Sequence, residues 1–219
     1  IFKITSDLTQ DRTDDYDVGF LFVSGFNSEI TQKLISFVRQ RIRIKCLVGC
    51  RCAGIIGSNA EIEQRPATAL ILGKLPDVKI VPFSVNQTQL ETLHKAEDWY
   101  ALFNVFPTES PKFLILPDPF LFDANQFLDV LNQTYPGCPV FGGLASGASQ
   151  PRENVLFIND QVFEEGIVGI IMTGDFDLKT VVSQGCRPIG ENYIITRAEN
   201  NVIHTLAGRP FVHVLEEVL

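Results

Sequence analysis

No run of roughly 18 apolar residues, the length a membrane-spanning helix needs, occurs in the 219-residue sequence. The N-terminus lacks the basic start, apolar stretch and small-residue cleavage site of an exported chain, and it begins at Ile1, not at Met. Basic residues are few: 18 Lys and Arg against 26 Asp and Glu give a net charge of −8. They are also scattered, which argues against nucleic acid or an anionic membrane surface as the main partner. Cysteines number five, Cys46, Cys50, Cys52, Cys138 and Cys186, an odd count without framework spacing. A reducing compartment fits them best, and a cytoplasmic location is expected. Cys50 and Cys52 as a metal pair would need two further ligands, and no second Cys pair or His-x-x-x-His spacing supplies them. Neither metal nor cofactor is therefore expected. Gly-x-Ser-x-Gly, P-loop and zinc-helix motifs are absent too, so the chain is expected not to be an enzyme and no catalytic residue is assigned.

What is present is an ordinary globular composition, 45% hydrophobic and 20% charged, long enough for one large domain or two fused halves. Two short stretches organise it. Gly49-Cys50-Arg51-Cys52-Ala53-Gly54 and Gly142-Gly143-Leu144-Ala145-Ser146-Gly147 each end an apolar run, and their glycines are spaced alike, with Gly49 as far from Gly142 as Gly54 is from Gly147. Residues this small suit a backbone approached closely by something else. That partner is either a ligand or the other loop, packed glycine to glycine across a pseudo-twofold axis.

The order of the chain supports a duplication. After a polar leading segment (1–16), the unalternating run Val18-Gly19-Phe20-Leu21-Phe22-Val23 reads as a strand covered on both faces. Asn27 caps a helix with Ile30, Leu34, Phe37, Val38 and Ile42 on one stripe. Residues 44–48 form the next strand; Ile55-Ile56 and Glu61-Ile62-Glu63 flank a turn at Ser58-Asn59; residues 67–75 and 78–83 complete a small antiparallel meander. The connector, 84–111, carries Leu90, Leu93, Ala96, Trp99, Tyr100 and Phe103 on one or two short helices, with Trp99 expected in the core and His94 at the surface or in packing. From Lys112 the pattern returns: a strand at 113–116, a helix with a capping box from Asp123 and Gln126, an end at Tyr135-Pro136-Gly137, and the second small-residue loop. An insertion at 148–154 precedes a second hairpin turn at Asn159-Asp160. The expected fold is α/β, with internally duplicated βαβ-plus-antiparallel-meander units at 17–83 and 112–183. Two sheets packed face to face with helices outside is the expected architecture, one mixed sheet the alternative.

Beyond the repeat comes Ser183-Gln184-Gly185-Cys186-Arg187-Pro188-Ile189-Gly190. There a guanidinium held next to proline suits capture of a carboxylate or phosphate, or pairing with one of the many acids. Two strands about Asn200-Asn201 and a helix from Phe211 follow.

This block, together with Gly142-Gly143-Leu144-Ala145-Ser146, Gly166-Ile167-Val168-Gly169, Asn201-Val202-Ile203 and Leu206-Ala207-Gly208-Arg209-Pro210, resembles the FIST domain (F-box and intracellular signal transduction) over nearly the whole chain. Gly49-Cys50 with Ala53-Gly54 is similar to the first half of its N-terminal module. The resemblance implies a non-catalytic small-ligand sensor of a signal-transduction protein, its ligand an amino acid or other small carboxylate. It also implies that 184–219 opens a truncated C-terminal module, with that missing module and a signalling protein as partners. Ala207 departs from the pattern, which usually has an acid there. The expected ligand-binding residues are Gly49, Cys50, Gly142, Gly143, Ser146, Cys186 and Arg187. A protein-interaction scaffold is the alternative, and a Cys-dependent enzyme with Cys50 or Cys186 as nucleophile and His204 as base is the third reading.

Overall fold

The computed structural model describes residues 15–57, 60–63, 65–181 and 187–218. The chain divides into two units, Ile1–Leu178 and Lys179–Leu219.

The first unit runs β1 (Asp15–Ser24), α1 (Ser28–Arg41), β2 (Arg43–Cys52), β3 (Gly54–Gly57), β4 (Ala60–Glu63), β5 (Ala67–Gly73) and β6 (Lys79–Val85). It continues with α2 (Gln87–Thr92), α3 (Ala96–Phe103), β7 (Lys112–Pro117), α4 (Ala124–Thr134), β8 (Val140–Gly142), β9 (Leu156–Ile158), β10 (Gln161–Phe163) and β11 (Ile167–Thr173). One sheet has the order β10-β9-β2-β1-β5 and the other β6-β11-β7-β8; β3 and β4 make a separate hairpin. Each large sheet is built round a parallel pair joined by a helix, β1-α1-β2 and β7-α4-β8, with an antiparallel strand beside the first member.

The central strands β1, β7 and β11 are apolar without alternation because both faces are covered. Val18 of β1, Cys46, Val48 and Cys50 of β2, and Val168, Ile170 and Met172 of β11 fill the layer between the sheets. Leu21 and Val23, on the opposite face of β1, pack with Leu34, Ile35 and Val38 of α1. Ile167 and Ile171 of β11 meet Trp99, Phe103, Phe127 and Leu131 of α3 and α4. The expected pair of face-to-face sheets with helices outside is what these three clusters build.

Three local expectations need correction. The buried stripe of α1 is Thr31, Leu34, Ile35 and Val38, one step round from the expected one: Ile30 is 37% exposed, and Phe37 carries the Arg41 guanidinium 3.6 Å from its ring centre. At α4, Asp123 caps as expected by accepting from the Gln126 N–H. The Asp123 N–H, however, goes to Gln87 Oε1 of α2 at 2.9 Å, not to Gln126. Finally, the strands after each βαβ unit do not remain together as a meander. Asp77 sits in the left-handed region at φ 64°, in a turn closed by Val78 N–H to Leu75 O; past it the chain leaves β5, and β6 pairs with β11 in the second sheet. The β9–β10 hairpin extends the first sheet by pairing with β2. The arms of the β3–β4 hairpin pair as expected, while its turn, Ser58-Asn59, lies outside the described residues.

Asn159, at the β9–β10 turn with φ 53°, secures that hairpin. Its Oδ1 accepts from Leu47 N–H at 3.0 Å and from Arg39 Nη1 at 3.1 Å. Asn159→Ala strands the Leu47 N–H, removes one of the two acceptors of Arg39 Nη1 and places at positive φ a residue that tolerates it less well than asparagine, so a loss of about 1–3 kcal/mol is expected. The check is a urea midpoint that falls while the slope stays constant.

In the connector, Trp99 is buried at 1% exposure and donates Nε1–H to Leu93 O; His94 is exposed. The second unit contains β12 (Ile195–Glu199), β13 (Val202–Leu206), β14 (Arg209–Pro210) and α5 (Phe211–Val218), its strands forming one antiparallel sheet. Ala207 and Gly208 turn the chain between β13 and β14 at φ 46° and 77°, which is the local role of the position that departs from the FIST pattern. Arg209 is paired with Glu217. No described helix is long and apolar enough to cross a membrane.

Candidate functional site

Both small-residue loops lie at the carboxyl ends of parallel strands, where open α/β sheets place their ligands. They meet there. The Ala53 N–H donates to Ser146 Oγ at 3.2 Å, and a Cβ on Gly147 would fall 2.4 Å from Arg51 Cγ. The contact joins serine to alanine and arginine to glycine, in place of glycine on glycine. Beneath it, Ser24 Oγ donates to Ala53 O at 3.0 Å.

The expected site residues divide accordingly. Gly49 lies within β2, where a Cβ would fall 1.8 Å from Leu21 O and 2.5 Å from Phe157 Cζ; its close neighbour is its own sheet. Cys50 is buried between the sheets. Gly142 ends β8 at φ 148°, with Ile115 O 1.8 Å from where a Cβ would lie, so it too serves the sheet. Gly143 is different: it donates to Ile115 O yet has open space above its Cα, and with Gly142, Leu144 and Ser146 it presents exposed backbone. Arg187 is exposed, in the second unit, and Cys186 lies outside the described residues.

Three residues at the junction are absent from the sequence-based set. Asp118 directly follows β7 and is fully buried. Its Oδ2 accepts from the Phe120 and Leu121 N–H groups at 3.1 and 2.8 Å, and its Oδ1 from Asn154 Nδ2 at 2.7 Å. Asn154 Nδ2 also reaches Ala145 O, tying the base of the second loop. Arg51 lies along the same segment, its N–H on Val155 O and its Nη1 on Glu153 O at 3.0 Å. Two buried polar atoms here have no hydrogen-bond partner among the described residues: Arg51 Nε, a donor, and Asn154 Oδ1, an acceptor. An acid at the end of an apolar strand, as in Leu114-Ile115-Leu116-Pro117-Asp118, was the available signal for Asp118. Asn154 was hidden in the insertion.

Nearby, Cys50 and Cys52 bring their sulfurs to 3.7 Å. The thiol hydrogen bond between them holds Cys52 below the usual thiol range against the opposing effect of burial. The same bond, with burial, pushes Cys50 well above it. In the second unit His204 Nε2 lies 3.7 Å from Glu199 Oε2. Among the described residues no group of three or more His, Cys, Asp and Glu is placed to hold a metal.

Residues 17–209 match the family model of the FIST N domain. The chain belongs to the FIST family. FIST is a domain associated with signal transduction. Among similar curated proteins, Uncharacterized protein Rv0628c of Mycobacterium tuberculosis (strain ATCC 25618 / H37Rv) is 34% identical over 186 residues, covering 85% of this chain and 47% of that protein. Uncharacterized protein Mb0898c of Mycobacterium bovis (strain ATCC BAA-935 / AF2122/97) is 33% identical over 187 residues, 85% of this chain and 46% of that protein. This FIST chain thus spans about half the length of the curated relatives it matches.

Proposed function

We propose that the chain is a non-catalytic sensory part of a cytoplasmic signal-transduction protein, and that it binds a small carboxylate such as an amino acid where the two loops meet. The observation that carries this reading is the unmatched pair at that junction: the Arg51 Nε–H suits a carboxylate oxygen, and Asn154 Oδ1 suits an ammonium. An amino acid brings both. The exposed backbone from Gly142 to Leu144 and the hydroxyl of Ser146 border the same place, and buried polar groups without partners are costly enough to favour a ligand that satisfies them.

A thermal-shift screen against amino acids and small carboxylates tests the reading. A ligand at 100 times its Kd stabilises by about 2.7 kcal/mol, which for a chain of this size raises Tm by about 5–11 °C. Arg51→Ala is expected to abolish the shift, while Arg187→Ala, which removes the clamp expected from the sequence, leaves it. Loss of the shift with Arg187→Ala alone would move the site to the second unit, and no response to any member of the panel would sink the ligand reading.

An interaction role draws on a separate observation. Ile189, Ile194, Ile195, Val202 and Val212 of the second unit are 52–77% exposed, Ile194 the most. Apolar surface of that extent suits a packing partner, for which the C-terminal module of the same protein and a signalling protein are the two proposed occupants.

A further inference from the structure

Residues two apart on a strand share a face, so β2 points Cys50 and Cys52 the same way, into the edge of the inter-sheet layer. Cys50 is buried at 2% exposure and Cys52 is half-buried. The β9 ladder on β2 ends at the Cys50–Leu156 pair. Cys52 lies beyond it, paired to Ser24 of β1, and on the other side the end of β2 is held by the single backbone bond from Arg51 N–H to Val155 O. We propose that Cys50 and Cys52 are a reversible oxidation site, at which a hydroperoxide converts the two thiols into an intramolecular disulfide.

Geometry permits the bridge. Two strand residues span about 6.6 Å from Cα to Cα, near the wide end of the usual disulfide range of about 4.4–6.8 Å. Closing the 3.7 Å between the sulfurs asks the end of β2 to twist, which strains the one backbone bond, Arg51 N–H to Val155 O, that holds it beyond the β9 ladder. A bridge formed under strain is also easily reduced, as a reversible modification requires.

The order of events follows from exposure and ionisation. The Cys52 thiolate attacks the terminal oxygen of the hydroperoxide, the O–O bond breaks, and the leaving alkoxide takes from water the proton that Cys52 released on ionising and departs as an alcohol, giving a sulfenic acid on Cys52. Cys50 then loses its proton as its sulfur attacks Cys52, and the sulfenic oxygen departs as water. Two thiols have lost two electrons, and the hydroperoxide has been reduced to alcohol and water. The other described thiols are poorer nucleophiles: burial pushes Cys46 up to about 11 and raises Cys138. Arg51 lies between the paired cysteines, so bridging moves the residue that contacts Gly147, Glu153 and Val155. The inference does not depend on the ligand reading.

The test is titration of the whole chain with hydrogen peroxide, alkylation of remaining thiols, and mass mapping of a tryptic digest. Cleavage after Arg51 separates Cys50 from Cys52, so the two peptides stay joined only when bridged, and fragmentation distinguishes Cys50 from Cys46. The expected result is a Cys50–Cys52 bridge that forms at least about tenfold faster than oxidation of Cys138 and is undone by dithiothreitol. In Cys50→Ser, Cys52 is expected to stop at a sulfenic acid that a dimedone probe captures. Oxidation of Cys46, Cys138 or Cys186 ahead of Cys52 overturns the proposal, as does over-oxidation of Cys52 in the unsubstituted chain while Cys50 stays reduced.

Discussion

Gly142→Ala is expected to lower Tm by about 6–12 °C, and Gly143→Ala to leave it within about 1 °C. The two glycines are adjacent and identical in sequence terms, yet their surroundings differ. A Cβ at Gly142 would lie 1.8 Å from Ile115 O and 3.0 Å from Ile115 N, both backbone atoms, and its φ of 148° belongs to the region that side chains rarely adopt. Ile115 is its partner in the β7–β8 pairing. Alanine therefore has to push two strands apart and accept a strained backbone, at a combined cost of about 3 kcal/mol. At Gly143 nothing lies within 4 Å of the added carbon. A thermal melt of the two variants decides the matter: equal, small effects would mean that β8 can shift on β7 and that Gly142 is kept small for another reason. The silent variant has a second use. Because Gly143→Ala projects a methyl into open space without disturbing the fold, it should weaken a ligand held against this loop while leaving the unliganded Tm alone.

That contrast also shows where reading from residues stopped. The elements themselves were legible, because their causes are local: the unbroken apolar run at Val18 to Val23, the Asn27 cap, the helical spacing of Leu34 and Val38, the proline and glycine that end α4. The meeting of the loops was one of the two readings that the matched small-residue stretches left open, and Ser146 with Ala53, in place of two glycines, stand at the contact. Strand partnership was not. Periodicity states that a strand is covered on both faces but not by what, so neither β6 crossing to β11 nor β9 joining β2 could be read from it. The same limit applied to chemistry. Gly49 and Gly142 are small for the benefit of their own sheets, which no sequence pattern separates from making room for a ligand. Arg51 is the one long side chain in a loop of small residues, and its significance lies in its neighbours Glu153 and Val155, which spacing does not show. Asp118 and Asn154 are 36 residues apart, and neither has a meaning without the other.

Asp118→Ala is expected to cost about 1–3 kcal/mol, because it removes the acceptor of the Phe120 and Leu121 N–H groups and one of the two acceptors of the buried Asn154 Nδ2, which keeps Ala145 O. The carboxylate sits at the base of the junction with the Phe120 and Leu121 N–H groups on one oxygen and Asn154 Nδ2 on the other. A carboxylate in this position is an acceptor on both sides, which an amide cannot be. Asp118→Asn keeps one oxygen for the two backbone groups but turns an NH₂ towards the Asn154 NH₂, so it should lose a smaller amount. Adding Asn154→Asp restores a donor–acceptor match and should recover part of the loss. Urea unfolding of Asp118→Asn, Asn154→Asp and the double variant forms a cycle, and a coupling of about 1–3 kcal/mol is expected for two groups in direct contact. A coupling near zero, or an Asp118→Ala variant as stable as the parent chain, would show that water readily replaces the carboxylate. A strong coupling would mean that the Asp118–Asn154 pair fixes Ala145, and with it the second loop, before any ligand arrives. In that case Asn154 is held by its nitrogen to the scaffold with its buried Oδ1 left unpaired, and the junction is a preformed site whose remaining freedom lies in Arg51.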